Sequence, residues 1–246
     1  MKTYTSDIFS DIRKFHGLTQ IEMAEKLNVS QSAISKIESN VFVPELTLWF
    51  DLVRLFGILD PYCFYYGTVE LKGIPDLSSA NRTNWHGMWS AKNKGKLSMT
   101  VRSLSPLLRH LKTHSPSELK SLFKKYDAPV AVTSILNYPL PWDLVWDIFE
   151  LGENCDKRFN LTTTAPHMAD HGSLFKIVPR DSGRKGITEF LLANSPSYFG
   201  KIQLDRLDGK EFGVSSIPDD VRKTFVKYLT DFPQHLTKKP AFELTA

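Results

Sequence analysis

The chain has 246 residues, of which 41% are hydrophobic and 24% charged, and its formal net charge is +4. This is the balance of a globular protein with enough apolar residues to bury a core, and it excludes collagen-like and low-complexity chains. No apolar run approaches the roughly 20 residues of a membrane helix, Met1–Tyr4 leads into no apolar signal core, and Cys63 and Cys155 are too few for a disulfide framework or a structural zinc site, so the expectation is a cytoplasmic protein with two buried thiols and no membrane contact.

In chain order, Ser6 is expected to cap a helix from Asp7 to His16, with Ile8, Ile12 and Phe15 at helical spacing and Gly17 as the stop. Thr19 then has the chemistry of an N-cap, and Glu22 stands three residues on, as a capping box requires. Ile21, Ala24 and Leu27 recur at spacing three and predict a short apolar stripe. Asn28 tolerates the left-handed conformation that ends many helices, and Val29 plugs the turn that follows. Ser30 is predicted to cap a second short helix whose buried face is Ala33, Ile34 and Ile37. Ala24 and Ala33 are small enough for the two helices to cross closely.

The outward face of that second helix carries Gln31, Ser32, Ser35, Lys36 and Ser39. Glutamine pairs bidentately with adenine, and serine donates to or accepts from most bases. A solvated polar face explains these side chains alone. It does not explain the short first helix, the turn and the plug together, whereas a helix laid in a DNA major groove does.

On Leu18-Thr19-Gln20, Ala24, Leu27, Val29-Ser30-Gln31-Ser32, Ile34-Ser35, Ile37-Glu38 and Pro44, residues 8–58 resemble the Cro/CI (phage-repressor-like) helix-turn-helix domain, common in bacteria and their phages. The resemblance covers about a fifth of the chain. It implies that Gln20, opening the first motif helix, contacts a phosphate and buttresses the recognition helix. It implies that Gln31 and Ser32 read bases, with Ser35 and Lys36 one turn further along. Many members have glycine where this chain has Ser39-Asn40, and asparagine takes the same left-handed conformation. The candidate DNA-binding residues are therefore Gln20, Ser30, Gln31, Ser32, Ser35, Lys36 and Ser39.

Pro44 is expected to open another helix at its preferred first position, running through Leu46, Leu48, Trp49, Leu52, Val53, Leu55 and Phe56 to Gly57. It is too apolar for a lone surface helix, so it completes the small core or packs on a partner. A short Asp60-Pro61 start leads into Tyr62–Tyr66.

Charge is uneven along the chain. Residues 1–70 carry 6 Lys/Arg against 9 Asp/Glu, residues 71–125 carry 11 against 2, and residues 126–246 carry 14 against 16. The motif region is not basic as a whole, so phosphate contacts must come from local donors or from elsewhere. Arg82, Trp85, His86, Trp89, Lys92, Lys94 and Lys96 form the basic candidate. Either they follow a DNA backbone, or they are a solvated linker whose tryptophans dock on a neighbouring core.

Beyond residue 100 the sequence predicts a helix over Val101–Leu111 (Leu104, Leu107, Leu108 and Leu111 inward). A second, opened by Ser115-Pro116-Ser117-Glu118, runs to Tyr126 with Leu119, Leu122 and Phe123 inward. Ala128–Leu136 reads as a strand or as a short buried helix, and periodicity does not decide. Tyr138-Pro139-Leu140-Pro141 forces an extended approach to an aromatic helix, Trp142–Leu151, ended by Gly152. Its stripe of Trp142, Val145, Trp146 and Phe149 is core, the wall of an apolar pocket or a dimer interface.

Thr162–Val178 is predicted to be partly helical and Ile187–Ala193 a strand. Phe199–Leu207 and Lys210–Ile217 form a hairpin about Asp208-Gly209, and Pro218 opens an amphipathic helix with Val221, Phe225, Tyr228 and Leu229. His167 and His171 share a helical face and are weak candidates to hold a metal or a haem iron, but two histidines make an incomplete site. Arg180-Asp181-Ser182-Gly183-Arg184-Lys185-Gly186 lacks phosphate-loop spacing, and no Gly-x-Ser-x-Gly elbow frames a serine. No catalytic set and no cofactor is expected.

The expected architecture is an N-terminal all-helical helix-turn-helix domain (1–70), a basic linker or docking segment (71–100), an α+β domain of helices and a small antiparallel sheet (101–233), and a tail (234–246). The expected function is a sequence-specific DNA-binding transcription regulator, with double-stranded DNA as its partner. Its C-terminal domain dimerises the chain, senses a small-molecule or protein effector, or both. The alternatives are an antitoxin-like or partner-binding DNA-binding protein, and a helix-turn-helix fused to a metal or haem domain.

Overall fold

A computed structural model describes residues 4–65, 67–73 and 98–155, the strand pair 204–207 and 212–214, and positions 89, 189, 193 and 194. The predicted helix over 162–178, the helix from Pro218, the tail, and the His167/His171 pair lie outside the described residues.

Four short helices open the chain: α1 (Thr5–Phe15), α2 (Gln20–Leu27), α3 (Gln31–Glu38) and α4 (Leu46–Leu55). Helix α1 begins two residues before its expected start. Tyr4, not Ser6, is its N-cap; the Tyr4 carbonyl accepts from Ile8 N at 2.9 Å while Tyr4 N donates to Phe64 O at 2.8 Å. A backbone anchor to a distant turn thus replaces the side-chain cap read from the sequence. Ile8, Phe9, Ile12 and Phe15 are fully buried.

Helix α2 has the capping box in full. Glu22 N donates to Thr19 Oγ1 at 3.2 Å, and Thr19 N donates back to Glu22 Oε2 at 2.7 Å. Asn28 ends the helix at φ +54°, as the sequence anticipated. Ile21, however, is 59% exposed, and Met23 joins Ala24 and Leu27 in the core instead. At 3.6 residues per turn positions 23, 24 and 27 share one face, and position 21 stands roughly a third of a turn away. Helix α4 starts at Leu46 with Glu45 as its N-cap, so Pro44 precedes the helix rather than opening it. Trp49 and Leu52 are its buried residues, and Trp49 Nε1 donates to Pro61 O at 2.9 Å, tying α4 to a 3-10 turn at Pro61–Tyr65.

Residues 68–72 run extended between two neighbours. Leu59 N donates to Glu70 O and Lys72 N to Gly57 O on one side; Val69 N donates to Ser134 O and Leu136 N to Val69 O on the other. The Asn137 side chain completes the seam by accepting from Leu71 N at 3.3 Å and donating to Leu71 O at 2.7 Å, so one amide does the work of a peptide group.

Strand β1 (Ser98–Thr100) pairs antiparallel with β2 (Pro139–Pro141), Met99 opposite Leu140. Helix α5 (Val101–His114) starts at the end of that ladder, and the Val101 and Arg102 amides donate to Tyr138 O and Leu136 O. Two orphan amides of its first turn are thereby satisfied without a capping side chain. Helix α6 (Pro116–Lys125) has proline at its start, as read from the sequence. The ambiguous stretch after it holds a short helix rather than a strand: a 3-10 helix over Val130–Ser134, buried from Ala131 onward.

Helix α7 (Trp142–Cys155) runs through Gly152 instead of stopping there. A Cβ at Gly152 would lie 2.8 Å from Leu107 Cδ1, so this glycine permits close approach of α5 and α7. Leu144, Val145, Ile148 and Phe149 are the buried residues of α7, whereas Trp142 and Trp146 are half-buried at its edge. Trp89 is buried and its ring meets that of Tyr126. Strands β3 (Leu204–Leu207) and β4 (Phe212–Val214) form the anticipated antiparallel hairpin, with an irregularity between Leu204 and Arg206.

The opening helices and α5–α7 bury their apolar side chains in one continuous cluster. Phe15 of α1 meets Tyr138 edge to face at a centroid distance of 5.4 Å. Among the described residues no helix is long and apolar enough to cross a membrane.

Candidate nucleic-acid interface

Helices α2 and α3 pack on each other through Met23, Ala24 and Leu27 on one side and Ile34 and Ile37 on the other. Val29 fills the turn half-buried, its amide donating to Ala24 O at 3.0 Å. Burying one face of a two-turn helix leaves the opposite face in solvent. Gln31, Ser32 and Lys36 are exposed there, and Ser35 is half-buried at the margin.

The other candidates have partners within the protein. Ser30 is the N-cap of α3: its Oγ accepts from Ala33 N at 3.2 Å and lies 3.2 Å from Ser32 Oγ. Ser39 is the C-cap, and its Oγ donates to the carbonyls of Ser35 (2.8 Å) and Lys36 (3.2 Å). Asn40 follows in the left-handed conformation at φ +59°. Gln20 is half-buried between the two helices.

Four side chains form one hydrogen-bonded row. Gln31 Nε2 donates to Gln20 Oε1 at 2.8 Å, and Gln20 Nε2 donates to Glu38 Oε2 at 3.0 Å. Arg13 closes the row with two parallel bonds to Glu38, Nε to Oε1 at 2.6 Å and Nη2 to Oε2 at 2.9 Å, and its Nη1 donates to Leu18 O. The side chains of Arg13 and Glu38 are 15% and 9% exposed, so this bidentate pair is largely withdrawn from water. Burial pushes the Glu38 carboxyl up, but the hydrogen bonds from Arg13 and Gln20 and the Arg13 charge outweigh it and hold the group below the ordinary glutamate range.

Gln20 is thus gripped from both sides, and it in turn restrains Gln31. The Gln31 amide keeps its carbonyl oxygen and a second N–H to offer a base edge, beside the Ser32 hydroxyl and the Lys36 ammonium. Sequence reasoning missed Arg13 and Glu38. The two are 25 residues apart on different helices, and only the Ile37-Glu38 step marked Glu38 at all.

Cys63 is buried, and burial raises its thiol far above the ordinary range, as expected of an inert core cysteine. The structure does not describe the Cys155 side chain.

The helix-turn-helix family matches residues 10–61. An uncharacterised helix-turn-helix-type transcriptional regulator of Methanocaldococcus jannaschii is 39% identical over 54 residues, which is 22% of this chain and 82% of that protein. No solved structure matches the chain.

Proposed function

Because the chain belongs to the helix-turn-helix family through residues 10–61, we propose that it is a sequence-specific DNA-binding transcription regulator acting on double-stranded DNA in the cytoplasm. Helix α3 enters the major groove. Gln31, Ser32 and Ser35 read base edges, while Gln20 and Lys36 set the register on the phosphates. Ser30 and Ser39 serve by capping the reading helix at its two ends. The observation that carries this reading is the Gln20–Gln31 hydrogen bond on an exposed face, a restrained amide with no packing duty.

The C-terminal part, residues 101–233 with 71–100 as basic docking segment, dimerises the chain, senses a small ligand or protein effector, or both. Pairing is supported by arithmetic: a recognition helix of 8 residues is about 12 Å long and meets too few base pairs for genomic specificity. Val41, Phe42, Val43, Leu46 and Phe50, exposed large apolar side chains that follow α3 directly, offer a second copy a further surface on the N-terminal helices, separate from the C-terminal part. The same surface supports a second reading, in which a different protein partner docks there as in an antitoxin-like complex. Co-purification of a foreign chain would favour that second reading.

The test is selection of bound duplexes from a random pool, followed by Gln31→Ala. The variant is expected to lose about 1–3 kcal/mol at the selected site and to relax one base position. Unchanged preference would overturn the base-reading assignment.

A further inference from the structure

Helix α1 has its apolar stripe of Ile8, Phe9, Ile12 and Phe15 in the core, with Asp11 on one edge of the stripe and Arg13 on the other. Arg13 grips Glu38 and, through it, the glutamine row of α2 and α3. Asp11 faces the opposite way, towards the 3-10 turn at Val130–Ser134.

Ser134 is fully buried there, with its carbonyl accepting from Val69 N at 2.7 Å. Its hydroxyl accepts from Lys112 Nζ at 2.8 Å and donates to Asp11 Oδ2 at 2.5 Å. Lys112, on α5, leaves its stem at the surface and turns its ammonium in to this point. A hydroxyl takes from an ammonium and gives to a carboxylate at once, so the order lysine, serine, carboxylate uses the Ser134 hydroxyl as acceptor and donor together. Burial raises the Asp11 carboxyl and lowers the Lys112 ammonium, each towards its neutral form, with Asp7 and Lys14 as the further charges near Asp11.

We propose that Asp11, Ser134 and Lys112 are positioning residues for base reading: they fix α1 against the helices that follow residue 98, and α1 fixes Glu38, Gln20 and Gln31. The inference rests on the function proposed above. A polar trio at a packed contact adds little stability over apolar residues of the same volume, but it permits one register where an apolar contact tolerates several. Phe15 against Tyr138 holds the C-terminal turn of the same helix, so the second half of α1 is seated on the Val130–Tyr138 segment at two points.

The test uses the full chain and the duplex selected with the unaltered protein. The quantity is the dissociation constant for a duplex altered at the base pair assigned to Gln31 divided by that for the selected duplex. Ser134→Ala and Lys112→Met are expected to lower this ratio roughly fivefold to tenfold. Binding to random duplex should change far less and its salt dependence should be unchanged, because the Lys36 charge that displaces counterions is outside the row that α1 holds and the neutral Gln20 displaces none. Lys112→Arg, which keeps a charged donor, is expected to restore the ratio.

Lys112→Met retains the stem length and replaces only the ammonium end, so it carries the test even where Ser134→Ala fails to fold. A Lys112→Met protein that melts earlier yet discriminates as before overturns the inference and leaves the function standing. An unaltered protein that selects no duplex overturns both.

Discussion

The helices before residue 60 and those after residue 98 share one core but are held in opposite ways. In the first region the two motif helices, α2 and α3, are bounded locally: Thr19 with Glu22, Asn28, Ser30 and Ser39 each act within four residues of their own position in the chain. In the second, α5 is bounded by carbonyls of Leu136 and Tyr138, more than thirty residues on, and α7 packs on α5 through the missing side chain of Gly152. Local bounding makes a unit whose geometry is written in short motifs. Distant bounding makes a scaffold whose geometry exists only once the whole has assembled.

The strongest way to break this contrast is at the join. Phe15→Ala removes a fully buried ring from between the two regions and is expected to cost about 3–5 kcal/mol. Amide exchange should show α3 and α7 losing protection together. Loss confined to α3 would mean that the two regions open separately and that the shared core is not one cooperative unit.

Next in size is Arg13→Met, which leaves Glu38 buried without its partner and is expected to cost about 3 kcal/mol. This change also removes a pH response. The Glu38 carboxyl is held below its ordinary value in the folded protein, so its stabilisation is complete above the ordinary glutamate range and is lost as the pH falls through the folded value. Melting temperature against pH should therefore show an acid limb in the unaltered protein that is flattened in Arg13→Met. An identical limb in both would show that Arg13 does not govern Glu38.

The smallest effect sharpens the contrast from the local side. Thr19→Ala breaks only the capping box and is expected to cost about 1 kcal/mol, with exchange rising in the first turn of α2 and not in α5–α7. Loosening in α7 as well would contradict local bounding.

The same contrast explains what the sequence made legible. The capping box, the left-handed Asn28 and the Ser30 cap were readable because each is a contact between residues a few positions apart. The start of α1 was misplaced because Tyr4 is anchored to Phe64, and Ile21 was misassigned because three-residue spacing alone does not choose between adjacent faces of so short a helix. The exposed Gln31, Ser32 and Lys36 followed from the pattern. The Arg13–Glu38 pair behind them did not, since nothing in either neighbourhood signals the other. In the second region the helices were legible by their leucine spacing. The β1–β2 ladder, the Asn137 seam and the role of Gly152 were not, because each depends on a residue brought from far along the chain.

Reading heads of this size are commonly thought of as cassettes that recombination moves from one protein to another. Here a crossover just past residue 61 would deliver the head to a new host with Phe15 and Asp11 facing surfaces never shaped to receive them. A transplant of this head is therefore expected to keep its geometry only when residues 130–138 travel with the first sixty.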